Sequence, residues 1–149
     1  MQYFHTLTLL FHSTVRYFVL IAILVSLYRS AKGWFGSAPF EKMDEKLSVW
    51  LLIMAHTQLI LGLILYTVSP AVIFSAASMK DPVARYWLVE HISTMIIAIT
   101  LITLSRITTK KLTDARARHK RVFLYNTFAI LLILMAISMS GRGFFSLPL

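Results

Sequence analysis

Five ionisable side chains stand within long apolar runs: His12 and Arg16 in "FHSTVRYFVLIAI", His56 in "AHTQLILGLILY", and the adjacent Glu90 and His91 in "YWLVEHISTMIIAITLI". An ionisable group inside a membrane span is costly and marks a functional candidate, whereas near a span end it can reach the headgroups. An imidazole can ligate a metal, carry a proton or tie two helices together. A guanidinium holds carboxylates in two-point geometry. Which chemistry is open to each residue depends on its depth, so the elements that carry them come next.

Of the 149 residues 58% are hydrophobic and 14% charged, and the mean hydropathy of +0.73 lies outside the range of soluble globular domains. The chain reads as a single transmembrane domain, with its long apolar runs spent on crossing the bilayer. The net charge of +9 sits in the connections between those runs, a pattern of membrane topology that gives no reason to invoke nucleic acid. Without cysteine there is no disulfide, thiolate metal site or covalent C-x-x-C-H haem attachment, so a metal cofactor would be held by histidine, methionine or oxygen. The first run lacks the basic region and small-residue cleavage site of a signal peptide and is expected to be retained as a span.

Four runs are long enough to cross, at residues 4–28, 47–68, 86–105 and 122–141, and they are continuous, without strand alternation. The expected fold class is therefore all-α, an integral membrane four-helix bundle. The connections from Arg29 to Lys46 and from Arg106 to Arg121 carry four and seven Lys/Arg, against Lys80, Arg85 and Arg142 on the opposite side. The positive-inside rule makes the first pair cytoplasmic and puts both termini outside, in a periplasm if the source is bacterial; a multi-pass protein of the bacterial inner membrane is the expected setting. The segment "SPAVIFSAASMKDP" is apolar for a loop and is expected to lie as a short helix in the outer interface.

A helical rise of 1.5 Å per residue turns sequence distance into depth. His12 lies 17 residues before Arg29 and His91 lies 15 before Arg106, roughly 25 and 23 Å from the cytoplasmic edge, so the two are nearly level. His56, ten residues past Lys46, is at roughly 15 Å; His119 falls at the cytoplasmic boundary and His5 at the outer one. Two level imidazoles on two parallel helices suit a haem standing along the membrane normal, one ligand on each face, if spans one and three are diagonal in the bundle. Remaining readings of the pair are buried polar contacts between helices and proton-handling sites.

The same depth scale makes a demand on the other two helices. Gly62, the one glycine of span two, and Ala136, Ile137 and Ser138 of span four fall at the ligand level, where small residues would leave room; a glycine there also serves close helix packing. Arg16 lies one turn after His12 on the same face, and Arg85 and Arg142 stand at the outer ends of spans three and four, so all three are candidate partners for haem propionates. An ion pair between Arg16 and Glu90 is the plain alternative for Arg16. Glu90 and His91 are about 100° apart on a helix, so His91 is expected to face the bundle axis while Glu90 turns to Arg16, Arg85, a neighbouring helix or water.

His56 reads as a backbone hydrogen bond, a proton or quinone site, or a substitute for either ligand. A second haem between His56 and His119 is rejected, their depths differing by roughly 18 Å. Met54, Met95 and Met135 read as packing, and the aromatic residues near span ends as interfacial belts. The charges of "FEKMDEKL" and "TTKKLTDARARHKR" read as solvated connections touching anionic lipid, with docking of a partner as the alternative.

The stretches "HSTVRY", "AHTQLILGLILY" and "VEHISTMI" in a four-span chain resemble the small b-type membrane cytochromes and one half of haem A synthase, over about two thirds of the chain. The resemblance implies a non-covalent haem b held by bundle histidines, with His12, His56 and His91 as ligand candidates, and electron exchange with quinone or with other membrane subunits. This chain has one bundle's worth of helices, and its His119 is too shallow to match a ligand position. Two other functions compete: a non-catalytic accessory or assembly subunit of a larger membrane complex, and a small proton or ion transporter with a path through Glu90, His91, His56 and Arg16.

Overall fold

The computed structural model describes residues 2–141. Four long helices fill it: α1 Gln2–Gly36, α2 Lys42–Val68, α3 Pro82–Thr109 and α4 Ala115–Met139, each long and apolar enough to cross a membrane. The chain is all-helical, a multi-pass membrane bundle in its architecture. The helices run beyond the apolar stretches on which the spans were read, because the flanking charged residues are themselves good helix formers. Asp114 caps α4 by accepting the Ala117 amide at 2.7 Å, and Asp81 caps α3 through the Ala84 amide at 2.7 Å with Pro82 just inside. The α2–α3 connection holds a short 3-10 turn at Ala76–Met79.

Short connections force neighbouring helices to alternate in direction. Helix α1 packs against α2 and α4, and α3 packs against the same two, so α1 and α3 stand diagonally and run parallel. The first described residue, Gln2, and the end of α4, Met139, lie at one end of the bundle, and the two short connections, 37–41 and 110–114, at the other, called here the basic end for the Lys and Arg of the helix ends and connection around them. Val19, Ile23, Leu51, Ala98, Ile102, Ala129 and Ile133 form the shared core, where buried alanines allow close helix approach. Large apolar side chains such as Phe11, Phe18, Ile21, Ile53, Ile60 and Phe128 point outward, as lipid contact requires.

At the basic end the charges are more ordered than solvated connections would be. Asp44 is buried and takes Arg29 Nε at 2.6 Å and the Glu41 amide at 2.9 Å, while Arg118 binds Glu45 at 2.8 Å. His119 is only 2% exposed, with Nε2 3.2 Å from the Pro39 carbonyl oxygen and its ring against Phe40 and the backbone of Gly33. The reading of these segments as wholly solvated is corrected: the helices continue through them, and the extra turns pack.

Candidate functional site

Between the four helices, toward the end opposite the basic one, lies a cavity of about 160 Å³. His12 and Arg16 reach it from α1, Gly62 from α2, His91 from α3 and Ala136 from α4. The two histidines expected to be level therefore meet in one cavity, on diagonal helices. Arg16 lines it one turn from His12, as the helical repeat requires, and its Nη2 donates to the Tyr17 hydroxyl at 3.1 Å.

Gly62 packs against the imidazole of His12. A Cβ at this position would stand 3.3 Å from His12 Cε1, a tight contact that a larger side chain could not make without moving the ring. The close-packing reading of this glycine is the one this contact shows. One turn earlier, Gln58 Nε2 donates to the His12 carbonyl oxygen at 2.9 Å and ties α2 to α1 at the same level. Its Oε1 is buried in the cavity wall without a partner among the described residues, an acceptor for water or for a ligand donor.

His91 is positioned by a local departure from α-geometry. Residues Tyr86–Glu90 form a π-turn, closed by the His91 amide donating to the Tyr86 carbonyl. Such a turn brings residues five apart onto one face. Arg85 Nε meets Glu90 Oε1 at 2.7 Å, and the Tyr86 hydroxyl lies 3.2 Å from His91 Nδ1. The loosened ladder is braced from outside: the Tyr66 hydroxyl on α2 donates to the Leu88 carbonyl at 2.9 Å, and the Tyr86 hydroxyl donates to the Ala136 carbonyl on α4 at 2.5 Å. Trp87 adds a tilted ring contact to His91, with centroids 5.4 Å apart.

The remaining candidates fall elsewhere. His56 is exposed on the outer face of α2, its Nδ1 2.9 Å from the Leu52 carbonyl oxygen, and does not line the cavity. The backbone bond expected of it is present, and substitution for a cavity ligand is not available from that face. Arg85, expected as a propionate partner, is not among the residues lining the cavity; its Nε donates to Glu90 and its Nη1 to the Met79 carbonyl. Glu90 correspondingly pairs with Arg85 rather than with Arg16. Arg142 lies outside the described residues.

Sequence reasoning missed Tyr86, Tyr66 and Gln58. Tyr86 and Tyr66 stood near span ends and matched the expected aromatic belt; Gln58, two residues from His56, was a polar residue inside a span and could have been found by that signal alone.

Fold and cavity together define a multi-pass helical membrane protein with two histidines and an arginine converging between its spans. Comparison of the chain with protein-family models, curated proteins and solved structures returns no match.

Proposed function

We propose that this protein is a membrane b-type cytochrome, holding one non-covalent haem b between α1 and α3 with His12 and His91 as axial ligands. The observation that carries the reading is the presence of these two imidazoles, from diagonal helices, in the wall of a single cavity. The donor set fits. Two imidazoles facing one cavity from opposite helices are the axial pair a haem b would take. Arg16 in the cavity wall offers a guanidinium fork to a propionate.

Bound haem supplies reversible one-electron chemistry. The chain's own work is to fix the imidazoles, pair an anionic group through Arg16, and keep water out with the apolar side chains that form most of the wall. The proposed role includes electron exchange with quinone or with another membrane subunit. The excess of Lys/Arg in residues 29–46 and 106–121 at the basic end supports a cytoplasmic position for that end, with both termini periplasmic in a bacterial inner membrane.

The test is the absorption spectrum of the purified full-length protein, expressed with ample haem and reconstituted with hemin. A Soret band with a low-spin, six-coordinate signature is expected, lost in His12→Ala and in His91→Ala. A wild-type protein that takes up no haem would sink the proposal and leave the accessory-subunit and proton-transporter readings.

A further inference from the structure

Tyr86 is buried at 5% exposure and, among the described residues, its hydroxyl meets the Ala136 carbonyl oxygen at 2.5 Å and His91 Nδ1 at 3.2 Å. A phenol carries one proton, and a carbonyl oxygen can only accept. The proton of Tyr86 therefore goes to Ala136, and toward His91 the hydroxyl can only accept. It follows that in the neutral imidazole Nδ1 of His91 carries the proton and Nε2 the lone pair.

We infer that Tyr86 is the positioning residue for His91, selecting the Nδ1–H tautomer and so presenting Nε2 as the nitrogen able to bind a metal. The π-turn is what makes this possible. Residues 86 and 91 are five apart, and on a regular α-helix they would diverge by about 140°; the i→i+5 bond from the His91 amide to the Tyr86 carbonyl brings both side chains to one face. The anchor is on another helix. Ala136 lies in the last turn of α4, and its carbonyl accepts both the Ser140 amide at 3.1 Å and the Tyr86 hydroxyl, so the ring is held at the level of the cavity rather than sliding along α3. A chain of hydrogen bonds from α4 through Tyr86 thus sets the orientation of an imidazole on α3. Outer partners of this kind fix the tautomer of a metal-binding histidine and raise its basicity.

The tautomer is a property of the protein without metal, whereas the consequence for a bound iron rests on the haem reading above. The experiment separates them. Full-length protein labelled with 15N at histidine is examined by NMR in the metal-free form at a pH where the imidazoles are neutral, and again after reconstitution with hemin. In the metal-free wild type, His91 should give the nitrogen shifts of the Nδ1–H tautomer. Tyr86→Phe, which keeps the ring and removes the hydroxyl, should shift that resonance pattern toward the Nε2–H tautomer that is commoner for a free imidazole. In the reconstituted protein Tyr86→Phe should weaken hemin binding roughly 10- to 100-fold, the range for loss of an outer partner. It should also raise the reduction potential, because a less basic imidazole stabilises ferric iron less.

An Nε2–H tautomer for His91 in the wild type would overturn the inference, as would an unchanged tautomer in Tyr86→Phe. A Tyr86→Phe protein that merely melts earlier, with tautomer and potential unmoved, would show that Tyr86 only staples α3 to α4. Failure of the wild type to take up hemin while His91 shows the Nδ1–H form would refute the haem proposal and leave the tautomer assignment standing.

Discussion

Arg85 and Glu90 are locked together at 2.7 Å although they stand five positions apart, because the π-turn at Tyr86–Glu90 puts them on one face of α3. That pairing accounts for a glutamate placed beside a histidine in an apolar run. His91 turns into the cavity, and Glu90 turns out of it toward a cation at the helix end. Glu90→Gln should leave the haem spectrum unaltered. Both side chains are about one-third exposed, at 40% and 31%, so the loss of stability should stay within about 1 kcal/mol, a small shift in thermal midpoint. Loss of haem in Glu90→Gln would mean that the carboxylate acts inside the cavity after all.

Gly62 and the His12 ring leave no slack between them. An added methyl at 3.3 Å from Cε1 requires a displacement of a few tenths of an ångström, and an added isobutyl group requires that the ring leave its place. Gly62→Leu should therefore insert in the membrane at normal levels while its haem content, read as Soret absorbance per mole of protein, falls by more than half. Gly62→Ala should retain most of it. Full occupancy in Gly62→Leu would show that His12 can swing without loss of ligation, contrary to the geometry.

His56 faces away from the cavity and satisfies its own Nδ1 through Leu52. His56→Ala should keep a bis-histidine spectrum, and its only measurable effect should be a slight change in stability. The outcome opposite to this, retention of the spectrum in His91→Ala and its loss in His56→Ala, would move the ligand to α2.

Much of this arrangement was legible in the sequence because helices convert residue number into height. That His12, His91, Gly62 and Ala136 share one cavity agrees with heights counted from a rise per residue and the positions of flanking charges. The phase of His56 was also readable. Gly62 is six residues on, a rotation of about 240°, so if Gly62 faces the cavity His56 does not. The π-turn was not readable. It is stabilised by Tyr66 from α2 and Tyr86 to α4, contacts between distant segments that leave no periodic trace in Tyr86–Glu90 itself. Burial of His119 and Asp44 was hidden for a related reason, since a charged stretch gives no sign that a neighbouring helix end will pack over it.

Gly33 provides a test of that hidden packing. In an ordinary helix interior Gly→Ala stabilises by about 1 kcal/mol. Here the new Cβ would overlap the His119 ring, whose planar atoms cannot flex aside as the end of a long side chain could. Overpacking of this kind costs about 1–3 kcal/mol, more than the gain in helix propensity, so Gly33→Ala should lower the thermal midpoint in detergent. The cavity lies toward the other end of the bundle, and whatever folds should bind haem with an unaltered spectrum. A higher midpoint in Gly33→Ala would show that the helices do not approach as closely as described.

Arg16 sets the charge of the cavity and so offers the most direct electrostatic test of the proposed cofactor. Its guanidinium shares the face of His12 and lines the cavity. Oxidation of a haem iron adds one positive charge, and a fixed cation nearby opposes that change. For two charges ~8 Å apart at an effective dielectric constant of ~20 the opposition amounts to ~2 kcal/mol, part of it cancelled by any propionate the arginine binds. Arg16→Gln removes the charge and keeps a polar side chain, so the ferric form becomes easier to reach and the reduction potential should fall by tens of millivolts. Arg16→Lys keeps the charge but not the fork, and should stay near the wild-type potential while binding haem less tightly. Equal potentials for wild type, Arg16→Gln and Arg16→Lys in redox titrations would remove Arg16 from the haem environment and leave its role to the packing of α1.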